Sequence, residues 1–219
     1  MNIKYYTEPF HYVEVTEVFN EEEYCNIFDE ICFHHNKGIF LPPEKTGSAI
    51  HNDTQKFLKN NSAFDWHHLY KNQNLSYLIS ITNNKMQDIM GYSFWDESCP
   101  SWFFKDKCIT YVDNMVSYYE DSDYYSPHQD SSAVTGLMWF FKKPKSFMGG
   151  ELEFTDYKIK IPCVENYMIL FPGNITHSVT PIEMAEKDKN KQMGRFTSTL
   201  FLHQDGHPKP LNGVTIDDS

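Results

Sequence analysis

The sequence is short of cysteine, of positive charge and of long apolar runs, and each shortage closes off a class of protein. Five cysteines (Cys25, Cys32, Cys99, Cys108 and Cys163) make an odd count, and no two stand in Cys-x-x-Cys spacing. That argues against a disulfide framework and against a zinc ribbon, and it suits reduced thiols in a cytoplasmic protein. Lysine and arginine number 19 against 30 aspartates and glutamates, a formal net charge of −11. A phosphate-binding surface normally carries a basic excess, so no nucleic-acid partner is expected, whereas a basic substrate would be steered favourably. The longest apolar runs, such as "LMWFF" and "YMILF", are far too short to span a membrane, and the opening "MNIKYYTEPF" lacks the apolar core of a signal peptide. Internal repeats, low-complexity tracts and Gly/Ser linkers are missing too.

What is present is a globular composition. Over 219 residues, 40% are hydrophobic and 16% aromatic, enough to bury a real core. Asn20 can cap a first helix, with Glu23 at capping-box spacing. Tyr24, Ile27, Phe28, Ile31 and Cys32 then follow helical periodicity, and Gly38 lies past its end. A second helical region spans about Ser76 to Met90 and ends at Gly91; residues 39–56 read as a long loop. After Trp95 the texture changes to short strand-like runs: "CITYVDNMVSYY", "VTGLMWFF", "ELEF", "KIKIP", "NYMILF" and "RFTSTLFLH". Turn signals at Glu120–Asp123, Pro144–Gly150 and Pro172–Asn174 separate them, a spacing that suits a sandwich or barrel. We therefore expect one mainly β, α+β domain over 1–219, with a helical part over about 1–94, a β core over about 95–203 and a short tail at 204–219.

The chemistry concentrates in "YYEDSDYYSPHQDSS", where His128 and Asp130 stand two residues apart. Such a pair alone suits a surface loop. His177, in "FPGNITHSVTP" after an apolar run and a Pro-Gly turn, supplies a third donor. Two neutral imidazoles and one carboxylate can hold Fe(II) on one octahedral face and leave positions open for a bidentate cosubstrate and O2.

At these residues the chain resembles the 2-oxoglutarate- and Fe(II)-dependent oxygenases, closest to their prolyl 4-hydroxylase-like branch. Four pieces match in order: the Tyr-rich approach to His-x-Asp, "GGELEF", "LFPGNITHSVTP" and "GRFTSTLFL". The resemblance runs over about residues 110–203. It implies a double-stranded β-helix, a jelly-roll barrel with His128, Asp130 and His177 as metal ligands inside its mouth. It also implies that Tyr119 offers a hydroxyl to the cosubstrate, Tyr118 lying on the opposite strand face, and that Leu137, Trp139 and Leu152 wall the cosubstrate pocket. Trp139 also suits ordinary barrel core.

In that family a basic residue pairs with the far carboxylate of 2-oxoglutarate, about nine or ten positions after the distal histidine. Lys187 stands there, with Lys189 close by, while Arg195 is further on. Residues 183–194 form a polar run without periodicity and read as a solvated loop, so the extra length reads as an insertion. "RFTSTLFL" alternates strictly, with Arg195, Thr197, Thr199 and Phe201 on one face. A strand residue is held rigidly, and a guanidinium matches a carboxylate with two hydrogen bonds, so we assign the contact to Arg195, with Thr197 able to add its hydroxyl. The other histidines (His34, His35, His67, His68, His203 and His207) read as surface or satisfied residues.

The family chemistry is hydroxylation of an unactivated C–H bond coupled to conversion of 2-oxoglutarate and O2 to succinate and CO2, with ascorbate as a reductant. Asp130 fills the position that halogenating relatives leave empty. The expected substrate is peptidyl and prolyl-like. The alternatives are the same chemistry on a free amino acid or small metabolite, an alkylated nucleic-acid base, which the acidic balance disfavours, or a non-catalytic jelly-roll binding module. Loop 39–56 and segment 181–194 are candidates for a lid.

Overall fold

Strand pairing begins from the alternating segment that closes the sequence pattern. Arg195–Gln204 (β13) pairs antiparallel on one side with Ile109–Tyr119 (β4) and on the other with Val134–Phe140 (β6). Tyr167–Pro172 (β10) adds beyond β6, and the hairpin Asn2–Tyr6 (β1) and Tyr12–Thr16 (β2) adds beyond β10. Ser62–Asp65 (β3) covers the other flank, giving a seven-stranded sheet in the order β1-β2-β10-β6-β13-β4-β3. A second sheet faces it, ordered Tyr125–His128 (β5), His177–Val179 (β11), Leu152–Phe154 (β8) and Ile159–Ile161 (β9). Phe147–Gly149 (β7) and Ile182–Met184 (β12) form a short separate pair. The structure, a computed structural model, describes residues 1–47, 50, 54–70, 72–91, 94, 96–105 and 107–204.

Side-chain alternation explains the two cores. On the central strands, Met168, Leu170, Met138, Phe140, Phe196 and Leu200 point to one face, and Leu137, Trp139, Ile169 and Phe171 to the other. The first face packs on two helices, Glu21–Asn36 (α1) and Tyr77–Met90 (α2). The second fills the space between the two sheets, which is the barrel interior. Ile27 and Ile31 are fully buried against the large sheet, so truncating either to Ala would cost roughly 2–5 kcal/mol.

The helix signals act as their chemistry requires. Asn20 accepts from the Glu23 amide while Glu23 accepts from the Asn20 amide, each at 2.9 Å. Ser76 caps α2 by accepting from Ile79 N, and Glu30 of α1 accepts from Leu78 N at 2.8 Å, so a carboxylate meets the positive end of α2. No helix among the described residues is long and apolar enough to cross a membrane.

The first 94 residues are not helical alone, as the sequence reading had them: β1, β2 and β3 lie there and belong to the large sheet. "YVEV" alternates with β-branched Val13 and Val15 facing the helices, but its partner strand is β10, far along the chain. The tail expected at 204–219 lies outside the described residues apart from Gln204, which ends β13. Segment 183–194 is not all loop either: Glu183 and Met184 belong to β12, and a single 3-10 turn covers Glu186–Asp188.

Candidate active site

Two strand ends bring the three predicted metal ligands together. β5 ends at His128, β11 begins at His177, and these two residues are register partners. Their imidazole centroids are 4.3 Å apart. Asp130 lies just past β5, its amide donating to Gly173 O at 2.7 Å across the Pro-Gly turn. Its Oδ1 is 3.8 Å from His128 Nε2 and its Oδ2 is 3.5 Å from His177 Nε2. One donor atom from each of the three residues lies within 4.8 Å of the others, the only such grouping of three or more among the described residues.

The orientation of each ring is set by backbone. His128 Nδ1 donates to Ser126 O at 2.9 Å, and His177 Nδ1 donates to Ile175 O at 2.8 Å. A carbonyl can only accept, so each Nδ1 carries the proton and each Nε2 turns a lone pair toward Asp130. Tyr125 stacks on His128 at 3.6 Å and Phe171 meets His177 edge-on. Burial, and secondarily the nearby His177 ring, pushes the His128 imidazole down to about 3, so it is neutral at physiological pH, the form that binds a metal. Asp130 is aimed as well: Thr135 Oγ1 donates to Oδ2 at 2.6 Å, and Ser132 Oγ lies 2.8 Å from the Thr135 hydroxyl. Two imidazole nitrogens and a carboxylate beside an open cavity fit a divalent first-row ion with vacant positions.

That cavity holds about 700 Å3 and is lined by the three residues together with Tyr119, Leu137, Trp139, Leu152, Val179, Arg195 and Thr197. Arg195 is 1% exposed, and no carboxylate pairs with it among the described residues. Nη1 donates to Gly150 O, whereas Nε and Nη2 have no partner, and neither does Thr197 Oγ1. A buried cation with spare donors and no anion is costly unless something else completes it. The guanidinium also lies 4.1 Å from the centroid of the Tyr119 ring, which holds its plane. The turn beside it requires glycine. At Gly149 and Gly150 φ is +71° and +72°, and a Cβ on Gly149 would come within 2.0 Å of Pro181 O.

The alternative lysines are elsewhere. Lys187 is exposed, and Lys189 pairs with Asp121 at 3.0 Å and Glu186 at 2.8 Å. Arg195, Thr197, Thr199 and Phe201 all face the cavity, while Phe196, Leu200 and Leu202 face the helices, as the alternation predicts. Tyr119 lies inside; Tyr118 points to the helix side and donates to Glu120 at 2.7 Å. Trp139 is both cavity wall and core, stacked on Tyr167. His34 contacts Tyr70, His35 contacts Gln192, His67 accepts from Asn114 N, His68 lies 3.2 Å from Asp65 and His203 lies 3.9 Å from Asp113; His207 is outside the described residues.

Of the two lid candidates, Leu41, Lys45, Thr46 and Gly47 line the cavity, while residues 48–49 and 51–53 lie outside the described residues. No described residue of 181–194 lines it; instead Gln192 Nε2 donates to Cys32 O at 3.3 Å and Asn36 Oδ1 at 3.2 Å at the end of α1. Sequence reasoning missed Thr135, which aims Asp130, and Lys59, a buried lysine in the cavity wall. Thr135 sits in a buried strand where nothing local marks it, and Lys59 sits in a polar stretch without periodicity.

Known proteins share part of this sequence and the fold. Residues 114–203 match the family model described as the 2OG-Fe(II) oxygenase superfamily. No curated protein matches the sequence. Among solved structures, the chain is similar to a prolyl hydroxylase from Trichoplax adhaerens in complex with a hypoxia inducible factor peptide. That match has a TM-score of 0.61 at 12% identity, over 88% of this chain and 83% of the other. A Pseudomonas putida prolyl-4-hydroxylase matches at TM-score 0.57 and 11% identity, over 89% and 93%. The collagen prolyl hydroxylase of Paramecium Bursaria Chlorella virus-1, in a 2OG complex, matches at 0.55 and 13%, over 87% and 94%. At these identities the structures speak for the fold, a double-stranded β-helix; the family match speaks for Fe(II), 2-oxoglutarate and O2 as the chemistry's requirements. Residues 114–203 belong to the 2OG-Fe(II) oxygenase superfamily, within a chain that has the fold of the prolyl hydroxylases.

Proposed function

We propose that this protein is a dioxygenase that hydroxylates an unactivated C–H bond of a peptidyl, prolyl-like substrate. One observation carries the reaction class: a His-Asp-His donor set shares a cavity with a buried arginine that has no anion of its own. His128, Asp130 and His177 would hold Fe(II), with the two Nδ1 bonds and the Thr135 hydroxyl fixing ring and carboxylate orientation. Bound Fe(II) supplies O2 activation coupled to decarboxylation of 2-oxoglutarate to succinate and CO2, and the oxidising power to hydroxylate the substrate.

The chain's own residues bind and orient. Arg195 and Thr197 would take the far carboxylate of 2-oxoglutarate with their unpaired donors, Tyr119 bracing the guanidinium. Leu137, Trp139 and Leu152 exclude water around it. Asp130 would fill the third ligand position and leave no place there for a halide, which fits hydroxylation as the outcome. The peptidyl reading draws support from the prolyl hydroxylases that share the fold and from a cavity whose wall reaches out to Leu41, Lys45, Thr46 and Gly47. A binding module without chemistry would have no use for the complete donor set. Succinate formation from 2-oxoglutarate with Fe(II) alone tests the reaction class; no succinate, with metal and cosubstrate bound, would sink it. A panel of proline-containing peptides, free amino acids and oligonucleotides, read by mass for hydroxylated products, tests the substrate class.

A further inference from the structure

Lys59 is 5% exposed, lines the cavity, and has no hydrogen bond or ion pair among the described residues. Its position follows from the way the barrel closes. Ser126 N donates to Leu58 O at 2.7 Å and Asn60 N donates to Tyr124 O at 3.1 Å, tying 58–60 to β5; a few residues on, β3 pairs with β4 of the other sheet. This segment therefore bridges the two sheets, and alternation turns Lys59, Asn61 and Ala63 inward, all three buried. The Lys59 ammonium is 5.7 Å from the centroid of Tyr125, the ring that stacks on His128, which puts the charge on the metal side of the cavity. Asn61 is also buried, with its amide beside Tyr119.

A lysine taken out of water without a partner is a standing cost, and such groups persist where a ligand completes them. The other charged groups in the cavity wall are engaged or at its rim. Asp65 lies against His68, Asp113 accepts from Tyr111 and approaches His203, and Lys45 is exposed. With the site loaded, a divalent ion and Arg195 carry three positive charges, and Asp130 and doubly ionised 2-oxoglutarate carry three negative ones. Lys59 is left over. We infer that Lys59 anchors a carboxylate of the primary substrate on the metal side of the cavity. This rests on the dioxygenase reading above and narrows its substrate to one that brings a negative charge. The carboxylate can come from a free amino or imino acid, or from an acidic side chain beside the target residue of a peptide.

The test uses the full chain loaded anaerobically with Mn(II) and 2-oxoglutarate, with two pairs of probes measured by calorimetry. One pair is L-proline and L-prolinamide; the other is acetyl-Asp-Pro-Gly-amide and acetyl-Asn-Pro-Gly-amide. The wild type should prefer the carboxylate member of one pair by about tenfold or more in Kd. Which pair shows the preference identifies the source. Lys59→Met should erase that preference and Lys59→Arg should keep part of it. Without ligands, Lys59→Met should also melt higher than wild type, because it removes an unpaired buried charge while keeping the volume. A lower melting temperature would make Lys59 a structural residue and overturn the inference. So would equal binding within both pairs by a protein that has taken up Mn(II) and 2-oxoglutarate. If the wild type takes up neither, the dioxygenase reading itself fails and this inference falls with it.

Discussion

Thr135 donates its hydroxyl to Oδ2 of Asp130 at 2.6 Å, and that same oxygen lies 3.5 Å from Nε2 of His177. The hydroxyl therefore fixes the carboxylate oxygen that faces His177, and Asp130 would use this carboxylate to hold a shared ion. Thr135→Val keeps the shape and removes the donor. It should weaken Fe(II) or Co(II) affinity by roughly 10–100-fold with little change in unfolding midpoint. Unchanged metal affinity in a titration would show that Asp130 needs no such support.

Asp130→Ala should abolish metal-dependent succinate formation while leaving the far-UV circular dichroism unchanged. The side chain belongs to the site, and the bond that holds the loop, from the Asp130 amide to Gly173 O, is backbone and survives. Succinate formation at near the wild-type rate would remove Asp130 from the metal ligands.

Arg195→Ala should raise the half-saturating concentration of 2-oxoglutarate far more than Lys187→Ala or Lys189→Ala. Breaking a buried pair costs about 3–5 kcal/mol, a hundredfold to several thousandfold in affinity, whereas an exposed lysine contributes at most about 1 kcal/mol. Arg195→Lys keeps the charge but loses the planar fork and the face presented to Tyr119, so an intermediate defect is expected. A large effect at Lys187 instead would reverse the assignment.

The gain in stability from Lys59→Met should depend on pH with a definite sign. Burial pushes the Lys59 ammonium down to about 8, from an ordinary value of 10.5. Below pH 8 the lysine is charged folded and unfolded, and the wild type bears the full burial cost, roughly 3 kcal/mol. Between about 8 and 10.5 the unfolded chain binds more protons than the folded one, so wild-type stability rises with pH and the gap to Lys59→Met closes. Urea melts of both proteins at pH 7 and pH 10 check this. A gap that widens with pH contradicts it.

Much of this site is legible in the residues because its chemistry is coded locally. The histidines and Asp130 sit at strand ends next to turn signals, and the strict alternation of "RFTSTLFL" is enough to prefer Arg195 over Lys187. The helix caps at Asn20 and Ser76 are equally local. What escapes the sequence depends on partners distant along the chain. The hairpin of β1 and β2 is recognisable only through its docking on β10, and Thr135 matters only because β6 passes under the loop that carries Asp130. Lys59 reads as one more surface lysine until the segment around it is seen to stitch β5 to β4.

The docking of β2 on β10 also governs how the chain can be trimmed. Met168, Ile169, Leu170 and Phe171 are buried on both faces, and β2 satisfies the hydrogen-bonding rim that β6 does not reach. Removing the first 16 residues would turn this stretch into a bare outer strand, uncharged and rich in β-formers, which is the profile of a template for self-association. The hairpin thus acts as a guard on solubility as well as an extension of the fold. A shortened version should appear in size-exclusion chromatography as soluble aggregates even where each copy has folded its barrel.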